Sequence, residues 1–226
     1  MIDRINIRFN GISKDKEAII AKENILPLPF KGVPSSNFPE PWLTVSYGEF
    51  LTLIKALSYV LKKKYDFAPG TRVGIIANSL PMTQLIIYAL WTMRCVVVCI
   101  PPKLGNDVKQ YWVRHNDIKM IFYDMNFRLY DDEEKNIKIN KQGQWVWKWY
   151  HPLTEEDEGL SAGEEGVLMS YLYDEDFRNE IYQAKLEGKS YERRGDRDDV
   201  LVVIGTSSSS QAIIKNGQCS SKYIYY

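Results

Sequence analysis

Between residues 72 and 124, short apolar runs alternate with longer amphipathic stretches, and this alternation limits the fold more tightly than any other feature of the chain. "RVGIIAN" (72–78), "VVVCI" (96–100) and "IKMIFYD" (118–124) are β-rich and apolar at nearly every position. Strands buried on both faces of a parallel sheet read this way. Between them stand "PMTQLIIYALWTMRC" (81–95), opened by a proline suited to a first helical position, and "GNDVKQYWVRHND" (105–117). Strand, helix, strand, helix, strand predicts an α/β fold: a layered sheet with right-handed parallel βαβ crossovers.

The flanks fill in the plan. "SYGE" at 46–49 fits a capping box, in which the serine hydroxyl and the glutamate carboxylate satisfy free backbone donors at a helix start. Phe50, Ile54, Leu57 and Leu61 follow at helical spacing, and Lys62, Lys63 and Lys64 stand where the helix dipole favours cations. Upstream, the proline-rich 25–42 predicts an extended, irregular segment over a surface. Downstream, "QWVWKWY" (144–150) alternates like an exposed strand, 154–166 reads as an acidic loop, 169–188 as helical, and 189–199 as a solvated charged loop.

Composition enters where function classes are excluded. Basic and acidic side chains balance at 29 each, so no global field gathers nucleic acid or an anionic membrane. The apolar runs are too short to cross a bilayer, and the N-terminus has no signal-peptide layout, which predicts a cytoplasmic protein with no transmembrane segment. Cys95, Cys99 and Cys219, with His115 and His151, do not form a zinc or disulfide pattern. His115 reads as a surface or C-cap residue, the pair Asp198 and Asp199 as part of a loop neutralised by Arg193, Arg194 and Arg197, and the Trp145, Trp147, Trp149, Tyr150 set as cover for a sheet face.

One stretch carries chemistry. "VLVVIGTSSSSQAIIK" (200–215) runs a buried strand into small residues, hydroxyls and a lysine, which together can surround and neutralise phosphate oxygens. No G-x-x-x-x-G-K-[ST] can be written over it, and by spacing alone a serine run is more often a flexible tether than a phosphate site.

The order of elements bears on that choice. "SYGEF", "PGTRVGIIANS", "RCVVVCIPP" and "IKMIFYD" resemble, in sequence order, the opening pieces of the adenylate-forming superfamily of acyl-CoA synthetases, fatty-acyl-AMP ligases and nonribosomal peptide synthetase adenylation domains. That family's next motif is a phosphate loop, T-S-G-T-T-G-x-P-K-G. Here Thr206 and Ser207 match its first two positions, and Ser209 and Ser210 its hydroxyl positions. Ser208 and Gln211 stand where the family has glycines, Ile213 replaces the proline, and Lys215 comes one place late.

The resemblance implies the first half of the family's large N-terminal domain, with 1–45 as a lead-in, 46–226 as a partial AMP-binding domain, and an insertion at about 130–198. It implies ATP with Mg as cofactor, a carboxylic or fatty acid as substrate, and Thr206, Ser207, Ser208, Ser209, Ser210 and Lys215 as the ATP-binding residues. The family's adenine site, ribose-binding aspartate, acyl pocket and catalytic lysine all lie downstream of this loop. The chain is therefore expected to hold no catalytic residue, to be inactive alone, and to need a missing C-terminal half. Two other readings stay open: a degenerate, non-catalytic binding module, motivated by the lost glycines, and an unrelated doubly wound domain with its ligand at the strand ends.

Overall fold

The computed structural model describes residues 13–124, 137–151, 163–193, 200–206 and 215–220. Its centre is an eight-stranded mixed sheet flanked by helices. The strands are β4 (Arg72–Ile76), β5 (Val96–Cys99), β6 (Met120–Tyr123), β7 (Ile137–Ile139), β8 (Trp145–His151), β9 (Gly163–Tyr171), β10 (Val200–Thr206) and β11 (Lys215–Ser220). Their order across the sheet is β11-β10-β5-β4-β6-β9-β8-β7. β10, β5, β4, β6 and β9 are mutually parallel; β11 and β8 join antiparallel at either side, and β7 pairs antiparallel with β8.

The helices are α1 (Tyr47–Tyr65), α2 (Pro81–Thr92), α3 (Asn106–His115) and α4 (Glu175–Leu186). From the central β4 the chain steps to β5 on one side through α2, then returns through α3 to β6 on the other. Because both crossovers have the same hand and run in opposite directions, the two helices fall on opposite faces. Buried residues accordingly form two clusters. One gathers α1, α2 and α4 on Val73, Ile75, Val97 and Phe122; the other gathers Trp112 and Val113 of α3 on Ile76, Val98 and Ile121.

Residues 17–46 form a second, three-stranded antiparallel sheet, with β1 (Glu17–Lys22), β2 (Val33–Pro34) and β3 (Trp42–Ser46) in the order β1-β3-β2. The proline-rich 25–42 is not wholly a surface strap: Leu26 and Phe30 are buried in the same core as α1. β3 runs directly into α1, where Ser46 Oγ accepts a hydrogen bond from the Glu49 amide at 3.2 Å. The other half of the expected box differs. The Glu49 carboxylate pairs with Lys185 of α4, because a lysine ammonium is a stronger partner than the backbone amide it would otherwise reach.

Two expectations downstream of β6 need correction. Gly163–Tyr171, read as acidic loop and helix start, is β9, held between β6 and β8. The helix begins later, where Asp174 Oδ1 caps the Phe177 amide at 2.8 Å. β8 alternates as expected but is not an exposed strand: Trp147 is fully buried against the α3 side of the sheet, while Trp145 on the same face is 46% exposed.

Candidate functional site

Parallel strands end at one edge of the sheet, and in such folds that carboxyl edge is where ligands bind, nearest the point where the strand order reverses. Here the reversal falls at β4, with β5 on one side and β6 on the other. The turn leaving β4 is held from three directions. Asn78 N donates to the buried Asp124 carboxylate at 2.8 Å, Thr83 Oγ1 donates to the Asn78 carbonyl at 2.6 Å, and Gln84 Nε2 donates to Ser79 Oγ at 2.9 Å. Asp124 stands one residue past β6, so the ends of β4 and β6 are tied together.

Beside them, past the end of β9, the Tyr173 hydroxyl is enclosed and makes no hydrogen bond among the described residues. Burial, with the Asp124 charge adding to it, pushes this phenol up to about 12. Neither Asp124 nor Tyr173 stood out in the sequence as a site residue. The only signal available was position, each closing or following an apolar run at the carboxyl edge.

The predicted phosphate loop leaves the same edge. β10 lies parallel to β5, with Ile204 opposite Cys99, and continues to Thr206. The chain returns as β11, whose first residue, Lys215, is the ladder partner of Thr206. The structure thus brings two of the six expected ATP-binding residues together, as the two ends of the loop's stem. Ser207, Ser208, Ser209 and Ser210 lie outside the described residues. A strand, not a helix, receives the loop's far end.

The remaining candidates have structural roles. His115 is exposed at the end of α3, its ring stacked on Tyr111 at 5.2 Å. Cys95 is buried, and burial pushes its thiol up to about 12. Arg193, expected in a solvated loop, is an anchor instead: Nη1 donates to the Phe67 carbonyl at 2.8 Å and its amide to the Thr92 carbonyl at 3.0 Å. Arg194, Arg197, Asp198 and Asp199 lie outside the described residues. Among the described residues no group of His, Cys, Asp and Glu gathers to hold a metal ion, and no helix is long and apolar enough to cross a membrane.

A family model of AMP-binding enzymes matches residues 14–210, from the turn before β1 through Thr206 into the serines. The chain belongs to the AMP-binding enzyme family. No curated protein matches the sequence. Solved structures of similar fold include a long-chain-fatty-acid-CoA ligase from Archaeoglobus fulgidus, 17% identical with a TM-score of 0.62, covering 97% of this chain and 36% of that one. VinN in complex with 3-methylaspartate is 16% identical with a TM-score of 0.56, covering 80% and 41%. A fatty acyl CoA synthetase from Mycobacterium tuberculosis is 13% identical with a TM-score of 0.52, covering 79% and 30%. The α/β fold is the one expected, and the chain spans well under half the length of these relatives.

Proposed function

We propose that this chain is the phosphate-holding portion of an ATP-dependent enzyme that activates a carboxylic acid as its acyl-adenylate. The observation that carries the reading is the loop stem: Thr206, inside the family match, and Lys215, five residues past its end, are ladder partners at the carboxyl edge of the parallel sheet, on the far side of β5 from β4. In this role Thr206, Ser207, Ser208, Ser209 and Ser210 donate hydrogen bonds to the β- and γ-phosphates and Lys215 offsets their charge. A carboxylate oxygen of the substrate then bonds to the α-phosphorus, the bridge to the β-phosphate breaks, and pyrophosphate leaves. Magnesium bound to ATP would offset the charge of its phosphates.

Residues 46–226 are taken as part of the AMP-binding domain, 1–45 as its lead-in, and about 130–198 as an insertion whose β9 and α4 are built into the sheet and core. The remainder of the catalytic module, the family's C-terminal half, is the partner this reading requires. A cytoplasmic setting, where ATP is present and Cys95 and Cys99 stay reduced, suits it.

Calorimetric titration with ATP and magnesium tests the proposal. Binding is expected, weakened about fivefold by Ser209→Ala and about tenfold or more by Lys215→Ala, the values for a neutral and a charge-assisted hydrogen bond. Absence of binding, or binding indifferent to both substitutions, favours the second reading: a non-catalytic module of the same fold, for which the observation is Ser208 and Gln211 in place of loop glycines.

A further inference from the structure

Of the eight large apolar side chains that stand exposed among the described residues, four belong to residues 17–46, the segment of the three-stranded sheet: Ile20 (36%), Leu28 (40%), Val33 (59%) and Phe38 (48%). The ladder brings them toward one face. Ile20 and Val33 both pair with Thr44, and Lys22 pairs with Trp42. Partners in an antiparallel ladder project to the same side, so Ile20, Thr44 and Val33 make one row and Lys22 and Trp42 the next. Phe38 lies against Trp42 with ring centroids 5.9 Å apart, and the Lys22 ammonium stands 5.6 Å from the Trp42 ring. Thr44 spends its hydroxyl inside the sheet, donating to the Ile19 carbonyl at 3.1 Å.

The opposite face is already covered. Ala21 and Val45 alternate to that side and are buried in the core built around α1, which in turn packs on the large sheet. The aromatic face therefore points away from the sheet that carries the loop stem, and a partner that meets the loop leaves it open.

We propose that this face rests on a lipid bilayer of zwitterionic headgroups, with Ile20, Val33, Phe38 and the Trp42 ring entering the boundary between headgroups and acyl chains and the Lys22 ammonium beside a lipid phosphate. The proposal stands apart from the acid-activating reading of the loop. Area decides against a second copy of the chain. At about 4.8 Å between strands and about 3.4 Å per residue, three strands and the length of β3 make a face of roughly 240 Å². A stable protein interface takes about 800 Å² from each partner. A bilayer needs no such matched area, since each apolar side chain that enters it contributes separately. Charge selects the lipid. Lys22 is the one charged side chain in the two rows, and the exposed Glu23 and Glu40 stand next to it and to Pro41 in the chain, so an anionic surface gains nothing over a neutral one. Indole rings with a cation at hand are the side chains that settle at headgroup level.

The test sediments the full chain with sucrose-loaded vesicles of phosphatidylcholine, at low and at high salt. The chain is expected to pellet with the vesicles equally at both. Val33→Ser with Phe38→Ser should weaken the partition about tenfold or more. Both side chains are exposed, so the urea midpoint of that variant should stay where it was. Brominated phosphatidylcholine should quench tryptophan fluorescence, and Trp42→Phe should remove most of the quenching. Failure of the unsubstituted chain to pellet overturns the proposal whatever the variants do. So does binding that the double substitution leaves intact, or binding that needs phosphatidylglycerol and vanishes in salt. Self-association in the ultracentrifuge without vesicles, abolished by the same two substitutions, would give the face to a second copy and overturn it as well.

Discussion

At the scale of single residues, the buried polar groups carry the sharpest consequences. Cys95 is fully enclosed between α2 and β5, and its thiol titrates near 12 instead of its ordinary 9.0. Above about pH 9 the unfolded chain releases this proton and the folded chain keeps it, so the unfolded state binds fewer protons and stability falls as pH rises. The contribution is complete below the ordinary value and is lost progressively between about pH 9 and 12, at up to about 1.4 kcal/mol per pH unit. Urea midpoints measured from pH 7 to 10.5 should decline over the upper part of that range, and Cys95→Ala should flatten the decline. Ser58 and Thr92 form a comparable buried pair: one hydroxyl donates to the other, which donates in turn to a carbonyl of its own helix, Ile54 O at 2.8 Å from Ser58 or Ala89 O at 2.7 Å from Thr92. Ser58→Ala and Thr92→Val should each cost about 1–3 kcal/mol, and the double substitution less than their sum, because the bond between the two hydroxyls is lost only once. Denaturant unfolding of the three variants reads this directly.

At the scale of elements, local signals decided where helices begin. Ser46 and Asp174 each accept a hydrogen bond from the amide three residues on, and each starts a helix at that point. Ser46→Ala should lower stability by about 1 kcal/mol, measured as a shift in the urea midpoint. β9 shows where local signals fail. Its first residues are glycine and glutamate, and only pairing to β6 and β8 makes them a strand. Gly166 marks that dependence, since a Cβ there would lie 2.8 Å from Val146 Cγ1 and 2.9 Å from the Trp147 carbonyl. Gly166→Ala should therefore strain the β8–β9 ladder. Hydrogen exchange across 145–171 should speed up, while exchange in β4 and β5 stays slow.

At the scale of the whole molecule, the chain has an eight-stranded mixed sheet with a core on both faces, yet it spans only 36% of the long-chain-fatty-acid-CoA ligase of similar fold. On the proposed reading, a phosphate loop acting by itself lowers no barrier, because binding that does not tighten in the transition state gives no rate. Purified protein is expected to show no ATP–pyrophosphate exchange with any acid of a broad panel. Exchange above background would place a full active site within this chain and displace the requirement for a partner.

The amino-acid sequence by itself determined the α/β class, the β4-to-β6 crossovers and the start of α1. Each depends on contacts a few residues apart, on hydrophobic periodicity, or on a proline or cap whose geometry is local. Thr206 and Lys215 could also be named from sequence, through the order of matching elements. Only the tertiary structure decided that they are ladder partners of β10 and β11, that β9 is a strand inside the sheet, that Arg193 is bonded to the Phe67 carbonyl, and that Asp124 ties β6 to the turn after β4. These pairings join residues far apart in the chain, and no local propensity specifies which strand edge, carbonyl or amide a distant side chain will meet.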